Sequence, residues 1–186
     1  MKPPETPVMV YVVKVTLLNT SPAVWRRILV PRDITLQNLH RTLQTVMGWT
    51  NSHLHQFVLR TQGFSDPRSR VGTKVANENG TRLGELIKAV GAGLLYEYDF
   101  GDGWQHELLL EEVLTGDESF QQICVAGKRC CPPEDCGGPQ GFAELLNALE
   151  DANHSDHEEV CEWLGDYVPE SFSADGINRR LRRRKN

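Results

Sequence analysis

Apolar residues recur along this chain in two rhythms, one of period two and one near 3.6. Residues 8–18 (VMVYVVKVTLL) are β-branched and almost unbroken, which fits a buried strand. A turn at Asn19-Thr-Ser-Pro22 leads into residues 24–30 (VWRRILV), the returning strand. Pro31 ends it, because proline cannot extend a ladder. Thr35 then caps a helix in which Leu36, Leu39, Leu43, Val46 and Met47 form one stripe, with Gly48 as the stop. His40 borders that stripe, where a packed, hydrogen-bonded role is the ordinary one. Residues 53–60 alternate, so His53, His55, Phe57 and Leu59 share a face. Residues 61–80 have no period and read as a long surface loop. Thr81 opens a short helix with Leu83, Leu86, Ile87 and Val90 inward, ending at Gly91.

The segment YEYDFGDGWQH, residues 96–106, organises the rest. Asp-Gly between alternating apolar runs is a strong hairpin signal. A two-residue loop would pair Asp99 with His106. A three-residue loop, Gly101-Asp102-Gly103, would pair Tyr98 with His106 and Tyr96 with Leu108. That second register puts Leu94, Tyr96, Tyr98, Phe100, Trp104, His106, Leu108 and Leu110 on one face. Glu97, Asp99, Gln105, Glu107 and Glu111 then lie on the other. A one-residue slip mixes the two sets, so burial selects the three-residue loop, with Gly103 free to be left-handed. His106 falls on the aromatic face, and Asp99 and Asp102 at the rim.

After Thr115 the rhythm breaks. Residues 124–138 (CVAGKRCCPPEDCGG) read as irregular, and Pro139 suits a first helical position. Phe142, Leu145, Leu146 and Leu149 make a one-sided helix. Ser155 and Glu158 have capping-box spacing for another, and residues 172–181 read as a last helix anchored by Ile177 and Leu181. The expectation is an α+β fold: a single mixed sheet of about five strands in a β-grasp-like order, a helix across one face, and the C-terminal helices at an end or edge. Residues 1–7 read as a loose leader, 8–178 as one domain and 179–186 as a basic tail.

Composition changes this picture little. Hydrophobic and charged contents of 39% and 24% suit a soluble globular chain. No apolar run is long enough for a membrane span, and no secretion signal is visible. Five cysteines, an odd number, fit a reduced, cytoplasmic setting. Charge is more informative. Arg179, Arg180, Arg182, Arg183, Arg184 and Lys185 crowd the last eight residues, and setting those six charges aside takes the net charge from −5 to −11 for the remainder. The body is therefore not a general nucleic-acid surface.

Several segments together resemble the plasmid pRiA4b ORF-3-like family. They are residues 24–28 (VWRRI), Leu39-His40 with Met47-Gly-Trp49, residues 53–57 (HLHQF), residues 96–104 (YEYDFGDGW) with His106, and residues 131–138 (CPPEDCGG). The resemblance spans nearly everything from Tyr11 to Leu181. It implies a compact α+β domain found on plasmids, in bacterial and archaeal genomes and near mobile elements, and it implies no particular activity. The basic tail lies outside the pattern, and Cys130 stands where a small residue such as alanine is expected.

Three constellations could carry chemistry. His53, His55, Asp99, Asp102 and His106 could bind a divalent metal such as zinc, or work as acids and bases. Their bland role is to edge an aromatic core and shape turns. Cys124, Cys130, Cys131 and Cys136, with Cys161 distant, could supply thiolates to zinc, of which Cys124, Cys131 and Cys136 are the candidates. No CxxC pair is present, however, and buried thiols in a rigid turn are the plainer reading. The basic tail could contact nucleic-acid phosphates, or simply complement a helix dipole. No nucleotide loop and no HExxH, GxSxG or kinase-type set occurs. The sequence thus favours a binding or adaptor module with a protein or nucleic-acid partner. The alternative is a metal-dependent or hydrolase-like enzyme using the His/Asp set.

Overall fold

β1 (Val8–Leu17) and β2 (Trp25–Pro31) form an antiparallel hairpin, as the two β-branched runs require. The structure is a computed structural model describing residues 7–69 and 75–183; most of the leader, together with Arg184 and Lys185 of the tail, lies outside the described residues. α1 (Leu36–Met47) follows. The Thr35 hydroxyl accepts the Asn38 N–H at 3.3 Å, and Gly48 closes the helix at φ 98°, the left-handed value that favours glycine. Next come β3 (His55–Leu59), β4 (Gln62–Ser65), β5 (Val75–Asn77) and the short α2 (Leu83–Leu86). β6 (Gly93–Tyr98), β7 (Trp104–Gly116) and β8 (Ile123–Lys128) complete the strands. α3 (Gly138–Glu150), α4 (His157–Leu164) and α5 (Ala174–Arg183) end the chain.

The strands make one sheet in the order β5-β4-β3-β6-β7-β1-β2-β8. All neighbours are antiparallel except β4 and β5, which makes the sheet mixed. The expected sheet of about five strands in a β-grasp-like order is therefore corrected to one of eight. The extra strands come from places without periodicity. β4 and β5 lie where a surface loop was expected, and β8 lies in the cysteine-rich segment. Each is short and takes its stability from its neighbour, not from its own pattern.

The hairpin register is also corrected. Tyr98 pairs with Trp104, Tyr96 with His106 and Leu94 with Leu108, so the connection is five residues, 99–103. The shift is by two positions, which preserves the faces: Leu94, Tyr96, Tyr98, Trp104, His106, Leu108 and Leu110 are all buried. The exceptions are at the tip. Phe100 is 44% exposed, and Asp99 is buried at 6%. Asp99 adopts φ 53°, and its Oδ1 accepts the Gly101 N–H at 3.0 Å and the Asp102 N–H at 3.4 Å. Closing the turn through its own carboxylate is what lengthens the loop.

Two polar anchors fix the helices to the sheet. Arg26 of the VWRRI segment is 3% exposed. Its Nε donates to the Val46 carbonyl at 3.0 Å, satisfying an end group of α1, and its Nη1 donates to the Trp25 and Lys128 carbonyls. Its guanidinium also lies over the Phe172 ring at 5.2 Å. The second anchor is a closed ring of hydrogen bonds. The Asn51 N–H donates to Gln44 Oε1 (2.9 Å), Gln44 Nε2 to Tyr96 Oη (3.1 Å), and the Tyr96 hydroxyl to His40 Nδ1 (2.8 Å). His40 Nε2 then donates to Asn51 Oδ1 at 2.6 Å. Because the Asn51 amide oxygen can only accept, His40 Nε2 carries the proton and Nδ1 accepts from Tyr96. α5 packs beside β8, where Asn178 brackets the Cys124 backbone with two hydrogen bonds of 2.8 Å.

Candidate functional site

The connector of residues 49–54 is pinned on both sides. Trp49 Nε1 donates to the Pro132 carbonyl at 3.0 Å, and the ring stacks on Tyr98 at 4.8 Å. Asn51 closes the ring described above. The Ser52 N–H donates to the Tyr98 hydroxyl at 3.1 Å. His53 is thereby held with its ring edge-on to Tyr98 at 5.8 Å.

Three carboxylates face His53 Nε2. Asp99 Oδ2 lies at 3.7 Å, Glu134 Oε2 at 3.9 Å and Asp135 Oδ1 at 3.2 Å. Each is independently positioned. Asp99 gives its other oxygen to the loop amides, as above. Glu134 Oε1 accepts the Thr50 N–H (2.8 Å), the Thr50 hydroxyl (3.1 Å) and the Tyr98 hydroxyl (3.0 Å). Asp135 sits at φ 56°, with its side chain 74% exposed. Burial, and then the Glu134 carboxylate, hold the Tyr98 phenol well above its ordinary range.

Two loops distant in sequence bring these groups together. The Gly137 N–H donates to Asp102 Oδ2 at 3.2 Å. Gly138, at φ 69°, passes so close to the hairpin that a Cβ there would stand 2.2 Å from the Asp102 carbonyl oxygen. Only glycine fits this contact. The Pro-Pro-Glu-Asp-Cys-Gly-Gly turn is therefore locked onto the hairpin tip, which carries Asp135 to His53.

Of the sequence-identified set, His53 and Asp99 meet, Asp102 holds the second loop, and His55 and His106 stand elsewhere. His55 Nε2 is 2.8 Å from Glu78 Oε2, which is 1% exposed, and its ring stacks on His40 with centroids 3.4 Å apart. His106 is fully buried. Its Nδ1 donates to the Tyr96 carbonyl at 3.2 Å, Nε2 has no partner among the described residues, and burial pushes its pKa down to about 3. It is a neutral core residue. Glu134 and Asp135 went unread because their segment has no periodicity to place it. Their signal was the run of two acids beside the Pro-Pro and Gly-Gly punctuation.

All five cysteines are free, and among the described residues they do not gather into a metal-ligand group. Burial raises the thiol pKa of Cys124 and Cys131, and burial with the nearby Asp102 pushes Cys136 up to about 12. Arg179, Arg180, Arg182 and Arg183 lie exposed on α5. No helix among the described residues is long and apolar enough to cross a membrane.

Comparison with known proteins places these features in a family. Residues 9–176 match the model of the plasmid pRiA4b ORF-3-like proteins. The chain is 39% identical over 163 residues to the uncharacterized protein y4hQ of Sinorhizobium fredii, covering 87% of this chain and 84% of that one. It also resembles the crystal structure of the protein of unknown function MM3350 from Methanosarcina mazei Go1, at TM-score 0.83 and 36% identity, covering 91% of this chain and 98% of that one. With its two long motifs interlocked at the hairpin tip and all but the first residue of its sheet inside the matched span, the chain belongs to the plasmid pRiA4b ORF-3-like family.

Proposed function

We propose that the domain of residues 8–178 is a binding module, and that its last helix, which continues into the basic tail, contacts the phosphates of a nucleic acid. The observation that carries this reading is on α5. Arg179, Arg180, Arg182 and Arg183 are exposed on one short helix, and among the described residues none forms an ion pair, although the body they sit on is acidic. A groove of about 780 Å³ runs along the flank of that helix. Arg180, Phe172, Tyr167, Trp49 and Cys131 are among the residues that line it. Aromatic walls beside guanidinium groups suit an unpaired strand better than a duplex. A role near mobile elements belongs to the same reading, and five free thiols support a reducing compartment such as the cytoplasm.

The enzyme alternative loses support. Glu78 engages His55, and His106 lies in the core, so of the His/Asp set only His53 and Asp99 come together, and no second histidine joins them. The test is fluorescence anisotropy with labelled single-stranded DNA, duplex DNA and RNA at several salt concentrations. Binding should weaken steeply with salt, and the variant with Arg179, Arg180, Arg182 and Arg183 all changed to Gln should lose most of it. No binding by either protein, or equal binding by both, would overturn the reading.

A further inference from the structure

We infer that His53, Asp99 and Asp135, backed by Glu134, form a divalent-cation site that clasps the hairpin tip to the Pro-Pro-Glu-Asp-Cys-Gly-Gly turn. The inference stands apart from the nucleic-acid reading: it uses none of the α5 arginines, and its ligands His53, Asp99 and Asp135 do not line the groove, although the supporting Glu134 does.

Distances carry the first part. A charge-assisted N–H···O bond is short, about 2.7–2.9 Å. His53 Nε2 is 3.2–3.9 Å from three carboxylate oxygens and is hydrogen-bonded to none of them. Ligands each about 2.1 Å from a tetrahedral zinc stand about 3.4 Å from one another, which falls inside that range. The ligand atoms of His53, Asp99 and Asp135 all fall within 4.8 Å of one another, and among the described residues this is the one such cluster of His, Cys, Asp and Glu.

Charge carries the second part. His53 supplies at most one positive charge to three carboxylates, and no Lys or Arg pairs with any of them among the described residues. Asp99 is held here with its side chain only 9% exposed. Carboxylates brought together in partial burial need a compensating cation. His53 Nε2 is itself inaccessible to water, on a side chain 26% exposed, and faces the carboxylates without a hydrogen bond to any of them. One imidazole with carboxylate oxygens suits a first-row divalent ion. Glu134 occupies a supporting place, since its Oε1 is already committed to Thr50 and Tyr98.

The experiment is titration of the metal-stripped full chain with zinc chloride by calorimetry, with thermal melts and a cobalt(II) spectrum in parallel. The wild type should bind one zinc, melt at higher temperature with it, and give a cobalt spectrum free of thiolate charge-transfer bands. Asp135→Asn should weaken binding at least tenfold and His53→Ala should abolish it, with the metal-dependent rise in melting temperature lost in step. Glu134→Gln should weaken it about tenfold while leaving the stoichiometry at one. Asp135 is exposed, so its variant keeps the fold and the test survives if His53→Ala does not fold. No zinc bound by the wild type, undiminished binding by Asp135→Asn, or thiolate bands in the cobalt protein would each overturn the inference; the last would assign the metal to cysteines.

Discussion

Two histidines on either side of the Trp49–Tyr98 stack meet opposite fates. His106 packs against Trp49 at 5.1 Å and Tyr96 at 5.3 Å, where nothing charged approaches it. His53 lies edge-on to Tyr98, where three carboxylates face it. The inner region is dry, aromatic and made by a regular hairpin. The outer one is ionic and built by two irregular loops. The same residue type is neutral and structural in one and an available ligand in the other, so environment rather than identity assigns the role.

The comparison breaks most sharply at the wall itself. Trp104, fully buried at the start of β7, should cost about 3–5 kcal/mol as Trp104→Ala, read from urea unfolding. Glu78→Ala should cost about 1–3 kcal/mol, because it leaves His55 Nε2 buried without its acceptor. A cost near zero would mean that the His40–His55 stack is open to water.

Next comes acid sensitivity. The unfolded chain takes a proton on His106 near pH 6.5, whereas the folded protein resists it until about pH 3. Stability from this group is therefore complete above 6.5 and is lost as pH falls through that window, by up to about 1.4 kcal/mol per pH unit. His106→Leu should flatten the slope of unfolding free energy against pH. An unchanged slope would place the acid sensitivity elsewhere. The smallest effect belongs to the rim. Asp135→Asn, at an exposed side chain, should shift metal-free stability by less than about 0.5 kcal/mol.

The regular half of the molecule was legible from the sequence, and the irregular half was not. Thr35, the leucine stripe and Gly48 bound α1 because capping and periodicity act locally. The faces of β6 and β7 were legible for the same reason. Their register was not, since a slip of two residues preserves every face, and burial cannot tell the two pairings apart. What decides it is Asp99 folding its carboxylate over the loop amides. β4, β5 and β8 carry no period of their own. Glu134 and Asp135 reach His53 only through the contact between two loops, a long-range fact that no local pattern encodes.

That contact bears on how such a chain can be rearranged. Gly137 and Asp102 are 35 positions apart, yet Gly138 runs so near the hairpin backbone that not even a methyl group could be slipped between them. Tip and turn are thus halves of one joint, each cut to the other's outline. A crossover falling between them would marry a tip from one parent to a turn from another and leave the halves to clash or gape. Crossovers outside residues 99–138 would pass the joint on whole. The shortest piece of this domain that can be traded between relatives without refitting is set by that one glycine.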